Sequence, residues 1–355
     1  MKIRMDARTA INNFSFVLPF LVFYTIFIIF PVVQAAVMSG FSWDLLGGAP
    51  QWSSGRNYVD MLGGTGLTWD MSHRLIERLV LIVCALLLMF KGIRRDLSIG
   101  GWVLVALLVV CAALLGIHPG EGGSWNDPRF YNALENTVVF TLVSSPVIAG
   151  IGLFLAIMLH RRHRLTGLYR AIFFLPYILP VSVATLIWGY LFNPSRGLVS
   201  VLTEWVGVGT INWLSDPRFA MSAIIVTTVW WTVGFNMILF EAGLEDIDPV
   251  LYEAAALDGA GPWRQFRYIT VPGLKHATLL VTVTQIIASF QIFGQVNIMT
   301  AGGPAGSTDV LVRYIYETAF RDTRLGYASS MSLVLFVLMV VISLVQFLMS
   351  KGKER

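Results

Sequence analysis

Leu251-Tyr-Glu-Ala-Ala-Ala-Leu-Asp-Gly-Ala-Gly-Pro-Trp-Arg-Gln-Phe-Arg-Tyr-Ile-Thr-Val-Pro272 is the longest polar-rich interruption in the C-terminal half of an otherwise apolar chain. Strong helix formers run from Tyr252 to Leu257, and Asp248 and Pro249 stand just ahead as an N-cap and a first-turn proline. Asp258, Gly259, Ala260 and Gly261 break that helix, and Pro262 with Trp263 opens a second short one that Pro272 closes. The stretch therefore reads as helix, glycine turn, helix. Ala254, Ala255 and Ala256 allow another surface to come close, while Glu253, Asp258, Arg264 and Arg267 offer charge.

Around this stretch the composition is that of a polytopic membrane protein. Of 355 residues, 56% are hydrophobic and 13% charged, against roughly 25% charged in a soluble domain. A net charge of +4 does not argue for nucleic acid in such a chain, because Lys and Arg gather on the cytoplasmic side of membrane proteins. Cys84 and Cys111 are the only cysteines. They are too few for a disulfide framework and read as small packing residues. The basic N-terminus leads into a long apolar segment without a small-residue cleavage site, which reads as a retained first span.

Eight apolar segments, near 14–38, 74–90, 101–117, 136–159, 168–192, 221–241, 276–298 and 328–349, are each long enough to cross a bilayer as an α-helix. With the N-terminus inside, the cytoplasmic side collects Lys2, Arg4, Arg8, Lys91, Arg94, Arg95, Arg161, Arg162, Arg164, Arg170, Arg264, Arg267, Lys275, Lys351, Lys353 and Arg355. These are 16 of the 25 Lys and Arg, which places both termini and the Glu253 stretch in the cytoplasm. The outer loops 41–60 and 193–220 carry Trp43, Trp52, Tyr58, Trp205 and Trp213. Such aromatics serve as interfacial anchors or as a docking surface for a partner.

The order E-A-A, D-G-A-G, I-x-V-P from Glu253 to Pro272 closely resembles the cytoplasmic loop that marks permease subunits of ABC importers. A helical cytoplasmic loop whose alanines serve propensity alone is the plainer alternative. Asn57-Tyr58, the run Asp127-Pro-Arg-Phe130 with Ala133-Leu134 and Asn136-Thr137, Leu175-Pro176 with Pro180, and Thr300-Ala-Gly-Gly-Pro304 are similar to the sugar-type subgroup of that family. The resemblance implies an all-α membrane fold, a six-helix permease core. Between Asn57-Tyr58 and Asp127 about sixty residues intervene, holding the second and third spans and the basic turn Lys91-Gly-Ile-Arg-Arg95. The domains expected are 1–60 (first span and outer loop), 61–126 (an inserted transmembrane hairpin) and 127–350 (permease core), with the coupling loop at 242–275. The hairpin leaves the orientation of everything downstream unchanged.

No G-x-x-x-x-G-K-[ST] sequence is present to cradle phosphates, so the chain is not read as an enzyme and binds no cofactor of its own. His160 and His163 lie in a basic turn without metal-ligand spacing. A translocation path needs polar or aromatic groups at membrane depth. In the sixth segment Trp231, Thr232 and Phe235 share a face; in the seventh, Gln285, Ser289 and Ile292 recur at i, i+4 and i+7. Aromatic planes beside amides and hydroxyls suit the apolar faces and edge hydroxyls of sugars. Hydrogen bonding between helices is the alternative role for Gln285 and Ser289. Matching segment to segment, the resemblance to maltose-type relatives puts the same six residues at substrate-pocket positions.

The resemblance further implies a second homologous permease subunit, two ATPase subunits that bind ATP–Mg, an external solute-binding protein, surrounding membrane lipid and a sugar substrate. In that scheme Glu253, Ala254, Ala255, Asp258, Gly259 and Pro272 form the coupling element. Glu253 contacts the ATPase and Gly259 permits the turn. No Lys or Arg falls inside the sixth or seventh segment, which favours a neutral mono- or oligosaccharide over a phosphorylated cargo. Import of glycerol phosphate by the same architecture is the runner-up. A stand-alone secondary carrier would need a central Asp, Glu or His in those segments, and Glu241 lies at a cytoplasmic end.

Overall fold

In a computed structural model that describes residues 7–70, 72–95, 99–160, 165–207 and 209–351, the chain is mainly helical. Lys2, Arg4, Arg161, Arg162, Arg164, Lys353 and Arg355, used above to orient the chain, lie outside the described residues, as does His163. Two compact units are formed, residues 1–63 with 315–337 and residues 64–314 with 338–355.

In the first unit, α1 (Ala7–Tyr24) passes through a π-helical turn at Thr25–Ile29 into α2 (Phe30–Met38). No residue of the span Phe16–Met38 is buried within the chain, as a helix apolar all round requires when its surroundings are lipid or another subunit. A hairpin of β1 (Phe41–Asp44) and β2 (Gly47–Trp52) follows, with Phe41 opposite Trp52, and then α3 (Arg56–Leu62). Asn57, buried in α3, donates from Nδ2 to the carbonyls of Ser39 at 2.8 Å and Phe41 at 3.0 Å, and the Tyr58 hydroxyl donates to Ser39 Oγ at 2.8 Å. The Asn57-Tyr58 pair thus ties the end of the first span to the hairpin.

The second unit opens with β3 (Gly64–Trp69), α4 (Leu75–Arg95), α5 (Ile99–Leu114) and β4 (Ile117–Trp125). The two strands pair antiparallel, Gly64 opposite Trp125 and Trp69 opposite Ile117, and so close the base of the α4–α5 pair. Arg78 is buried in α4, where its guanidinium donates to the carbonyls of Ala112 and Asp70, each at 2.8 Å. It also lies 4.9 Å from the centre of the Trp69 ring, so the cation is satisfied where an apolar segment was expected. Cys84 and Cys111 are exposed. They correct the expectation of packing residues, because a two-helix hairpin leaves most of each helix facing outward.

The core elements are α6 (Pro128–His160), α7 (Thr166–Ile178), α8 (Val181–Leu191), α9 (Leu198–Trp205), α10 (Pro217–Glu245), α11 (Pro249–Leu257) and α12 (Pro262–Gln265). A π-helical turn, Phe266–Thr270, leads to α13 (Val271–Gly273), α14 (Lys275–Phe290) and α15 (Gly294–Met299), and α16 (Leu311–Phe320) and α17 (Leu325–Lys351) complete the chain. Among the described residues, five helices are long and apolar enough to cross a membrane: Phe16–Met38, Pro128–His160, Pro217–Glu245, Lys275–Met299 and Leu325–Met349. The pair α7–α8, bent by 100°, makes a sixth if it is one span. Of the eight segments expected, 74–90 and 101–117 do form helices. The apolar part of α5, Gly101–Leu114, is shorter than a bilayer-spanning helix, and α4 carries Glu77, Arg78 and Lys91 within its length.

α6, α10 and α14 pack on one another around a core of Ala156, Met237, Phe240, Leu244, Leu274 and Val281. Close approach is set by glycine at two points. A Cβ on Gly152 would lie 3.2 Å from the backbone of Met237, and one on Gly234 would lie 2.0 Å from the carbonyl oxygen of Phe173. The seventh segment is not one continuous helix: α14 ends at Phe290 and α15 restarts at Gly294.

Candidate functional site

At the cytoplasmic loop expected from the sequence, the Asp248 side chain accepts the Val250 N–H at 2.9 Å and Pro249 occupies the first turn of α11. Gly259 has φ +74°, the left-handed conformation that ends a helix at low cost when no Cβ is present. Around it the Gly259 N–H donates to the Ala256 carbonyl at 3.0 Å and the Ala260 N–H to that of Ala255 at 2.8 Å. Two side chains then brace the hairpin. Gln265 Nε2 donates to the Ala260 carbonyl at 3.1 Å, and the Tyr252 hydroxyl and Thr270 Oγ1 share a hydrogen bond of 2.9 Å. Tyr252 and Ile269 pack against the buried cluster that includes Ile247 and Leu274.

The inner face is thus anchored and the outer face is free. Glu253, Ala254, Asp258, Gly259 and Pro272 are exposed and Ala255 is half-buried. Beside them stand exposed Leu257, at 90% of its full accessibility, and Trp263 at 73%. Pro272 does not end the second helix but sits inside α13, whose first-turn position needs no N–H.

In the interior, the six residues expected to line a pocket fall into three places. Trp231 and Phe235 share one face of α10, and Tyr177 of α7 stacks on Phe235 with centroids 4.7 Å apart and planes 15° apart. Trp231 lies 6.3 Å from the Tyr177 ring, and its indole N–H donates to the Leu179 carbonyl at 3.1 Å. Thr232, half-buried, donates back to the Thr228 carbonyl of its own helix at 2.8 Å.

Gln285 and Ser289 are buried in a polar chain that crosses three helices. Asn236 Nδ2 donates to Gln285 Oε1 at 3.0 Å, Gln285 Nε2 donates to Ser289 Oγ at 3.2 Å, and Ser145 Oγ of α6 donates to the same oxygen at 3.1 Å, with Ser144 Oγ 3.3 Å away. These bonds join α6, α10 and α14 and satisfy groups that would be costly unpaired. The Oδ1 of Asn236 is buried with no hydrogen-bond partner.

Ile292 corrects the i, i+4, i+7 reading. It lies in the break between α14 and α15, buried against Phe140, Ile224, Val296 and Val310, so helical spacing no longer carries it onto the face of Gln285 and Ser289. Residues the sequence reasoning did not single out are Tyr177, Ser144 and Ser145. Two adjacent serines before Pro146 in an apolar span were the available signal for the serines.

Two motifs noted separately in the sequence form one structure. From the start of α6, Arg129 Nε donates to Asp309 Oδ2 at 2.8 Å, Asn132 Nδ2 to the Gly306 carbonyl at 2.8 Å, and Asn136 Nδ2 to the Gly306 and Asp309 carbonyls at 3.0 and 2.9 Å. Thr137 Oγ1 accepts the Leu311 N–H at 2.9 Å, and Tyr314 donates to Asp127 Oδ2 at 2.7 Å. The loop after Thr300 is therefore held as a rigid lobe at the head of α6. At the other end of α10, buried Glu241 pairs with Arg170 of α7, whose Nε lies 2.8 Å from Oε1.

With this geometry in place, comparisons with known proteins are specific. Residues 148–355 match the family described as the binding-protein-dependent transport system inner membrane component. The lactose transport system permease protein LacF of Rhizobium radiobacter is 32% identical over 293 residues, covering 74% of this chain and 98% of LacF. The sn-glycerol-3-phosphate transport system permease protein UgpA of Agrobacterium fabrum is 34% identical over 225 residues, covering 62% of this chain and 76% of UgpA. Among solved structures, a bacterial ABC transporter involved in the import of the acidic polysaccharide alginate matches over 100% of both chains with TM-score 0.71 at 18% identity, a likeness of fold.

Proposed function

The chain belongs to the inner membrane components of binding-protein-dependent transport systems, and from that membership we propose that it is the permease subunit of an ATP-driven importer for a neutral mono- or oligosaccharide. The observation that carries the reading is the braced hairpin of α11 to α13. It is exposed on its outer face and continuous with α10 and α14, the two helices that hold the interior aromatic and polar groups. A push on such a rigid element moves both helices together.

In this reading, two ATPase subunits bind ATP–Mg, and one of them docks on Glu253, Ala254, Ala255, Asp258 and Gly259, with Pro272 holding the far side of the loop. A second permease completes the pathway, and an external binding protein delivers the sugar. The chain crosses the membrane eight times with both termini cytoplasmic, and residues 61–126 are an insertion between the first span and the core. Support for the insertion comes from the strand pair that closes the segment at Gly64 and Trp125.

Sugar would meet Trp231, Phe235 and Tyr177 through its apolar ring faces, and Thr232 through a hydroxyl. Gln285 and Ser289 would join the path when α10 and α14 separate, exchanging their interhelical bonds for bonds to sugar. α10 has no Lys or Arg beyond its first turn and α14 none beyond its first residue, which supports a neutral cargo over a phosphorylated one. The 34% identity to UgpA favours glycerol phosphate as the second reading.

The test is ATP hydrolysis by the reconstituted assembly, with and without its binding protein and candidate sugars. Stimulation by sugar-loaded binding protein, lost in Glu253→Lys with the subunits still assembled, is the expected result. Full stimulation in Glu253→Lys would remove the loop from the coupling role, and stimulation by glycerol phosphate alone would move the assignment to the second reading.

A further inference from the structure

The short helix α9 is amphipathic the wrong way round for a soluble surface. Leu198, Val201, Leu202 and Trp205 recur at i, i+3, i+4 and i+7 and so share one face, and all four are exposed, Trp205 at 87%. Ser200 and Thr203 turn inward: Ser200 is 3% exposed and Thr203 half-buried. A helix packed on a globular core shows the opposite arrangement.

Its depth is set by its neighbour. Ser200 Oγ donates to the Asn193 carbonyl at 3.0 Å and the Gly197 N–H donates to the same oxygen at 2.8 Å. Gly197 is required there, since a Cβ would lie 2.2 Å from the Leu191 carbonyl oxygen. The first turn of α9 is thereby pinned to the end of α8, where the apolar segment stops at Asn193-Pro194. The face of α8 that leads to this point, Leu186, Ile187 and Tyr190, is likewise exposed. Exposed Arg196 and Glu204 flank the apolar stripe. Tyr and Trp at the edge of hydrocarbon, with an arginine beside them, match the layer where acyl chains meet headgroups.

The geometry points to α9 as an interfacial anchor, lying with Leu198, Val201, Leu202 and Trp205 in the outer edge of the bilayer and Arg196 among lipid phosphates. Its task is to hold the end of α8, and with it the bent α7–α8 pair, at one depth. The occupant of this face is lipid.

The experiment places a nitroxide at Leu198→Cys, Val201→Cys, Leu202→Cys, Trp205→Cys and, as the aqueous reference, Glu204→Cys, each in a Cys84→Ala, Cys111→Ala background. The complete importer is reconstituted in nanodiscs of phosphatidylethanolamine and phosphatidylglycerol, and ATP hydrolysis confirms that each labelled assembly is intact. Collision with dissolved oxygen is compared with collision with a water-soluble nickel chelate. The four stripe positions are expected to favour oxygen over nickel severalfold relative to Glu204. Nickel access equal to that of Glu204, or nickel access lost only when binding protein is added, would overturn the proposal in favour of an aqueous or protein-docking face. Protection from both reagents would overturn it in favour of a partner subunit covering α9. Any of these results leaves the importer assignment untouched, because that assignment is read from ATP hydrolysis.

Discussion

The indole N–H of Trp231 in α10 donates across 3.1 Å to the carbonyl of Leu179, the residue at which α7 gives way to Pro180 and α8. Leu179 is extended, with ψ 137°, so its carbonyl points out of the helical path at the break and needs a donor from elsewhere. Trp231 supplies one. Trp231→Phe keeps a ring beside Tyr177 and leaves that carbonyl unpaired, a cost of about 1–3 kcal/mol. Thermal unfolding in detergent is expected to show a lower midpoint for Trp231→Phe with the assembly still forming. An unchanged midpoint would mean that the bond contributes nothing to holding the break.

Gly234 is where α7 and α10 touch. Its absent Cβ would fall 2.0 Å from the Phe173 carbonyl oxygen, and backbone cannot move aside as a side-chain tip can. Gly234→Ala is therefore expected to destabilise by roughly 1–3 kcal/mol or more through overpacking. Gly150→Ala, on the neighbouring α6 with nothing within 4 Å of the new Cβ, should be neutral or slightly stabilising. Melting curves of the two variants, run side by side, check the contrast.

Glu241 is 4% exposed and faces Arg170, which is itself 43% exposed as a side chain. Removing the arginine strands a buried carboxylate, whereas Glu241→Gln removes the charge and keeps an acceptor. Arg170→Ala is expected to cost about 1–3 kcal/mol, below the 3–5 of a fully buried pair because solvent reaches the guanidinium, and Glu241→Gln less. Denaturation of the single variants and of the double variant would reveal the coupling as non-additivity. Purely additive effects would show the pair to be independent.

Gly259 and Gly261 bracket the turn of the α11–α12 hairpin but differ in conformation. Only Gly259 is left-handed, at φ +74°, and neither would meet an atom within 4 Å if given a Cβ. Gly259→Ala should therefore carry a pure backbone penalty of about 1–2 kcal/mol, and Gly261→Ala almost none. In the reconstituted importer, loss of sugar-stimulated ATP hydrolysis in Gly259→Ala alone is the expected outcome. Equal loss in both would trace the effect to bulk at the surface rather than to the turn.

Much of the loop was legible because its signals are local. Asp248, Pro249, Gly259 and Pro262 act on backbone within one or two residues, so helix, turn and helix follow from chain order. Five of the eight expected spans were legible for a similar reason, length and composition being properties of a continuous segment. What failed was extrapolation along a helix that the sequence does not show to be broken. Ile292 was assigned by the 3.6-residue period, and the break between Phe290 and Gly294 put it in another cluster.

Chain order and composition were enough to identify a polytopic membrane protein of the permease type and to locate the turn of its helical hairpin. Tertiary structure decided which polar groups meet. Asn136 bonds a loop some 170 residues away, Ser145 reaches Ser289, and Trp231 finds the Leu179 carbonyl at the break between α7 and α8. A hydrogen bond depends on direction and on distances near 3 Å, and helical periodicity fixes a side chain's face but not which neighbouring helix will stand opposite it.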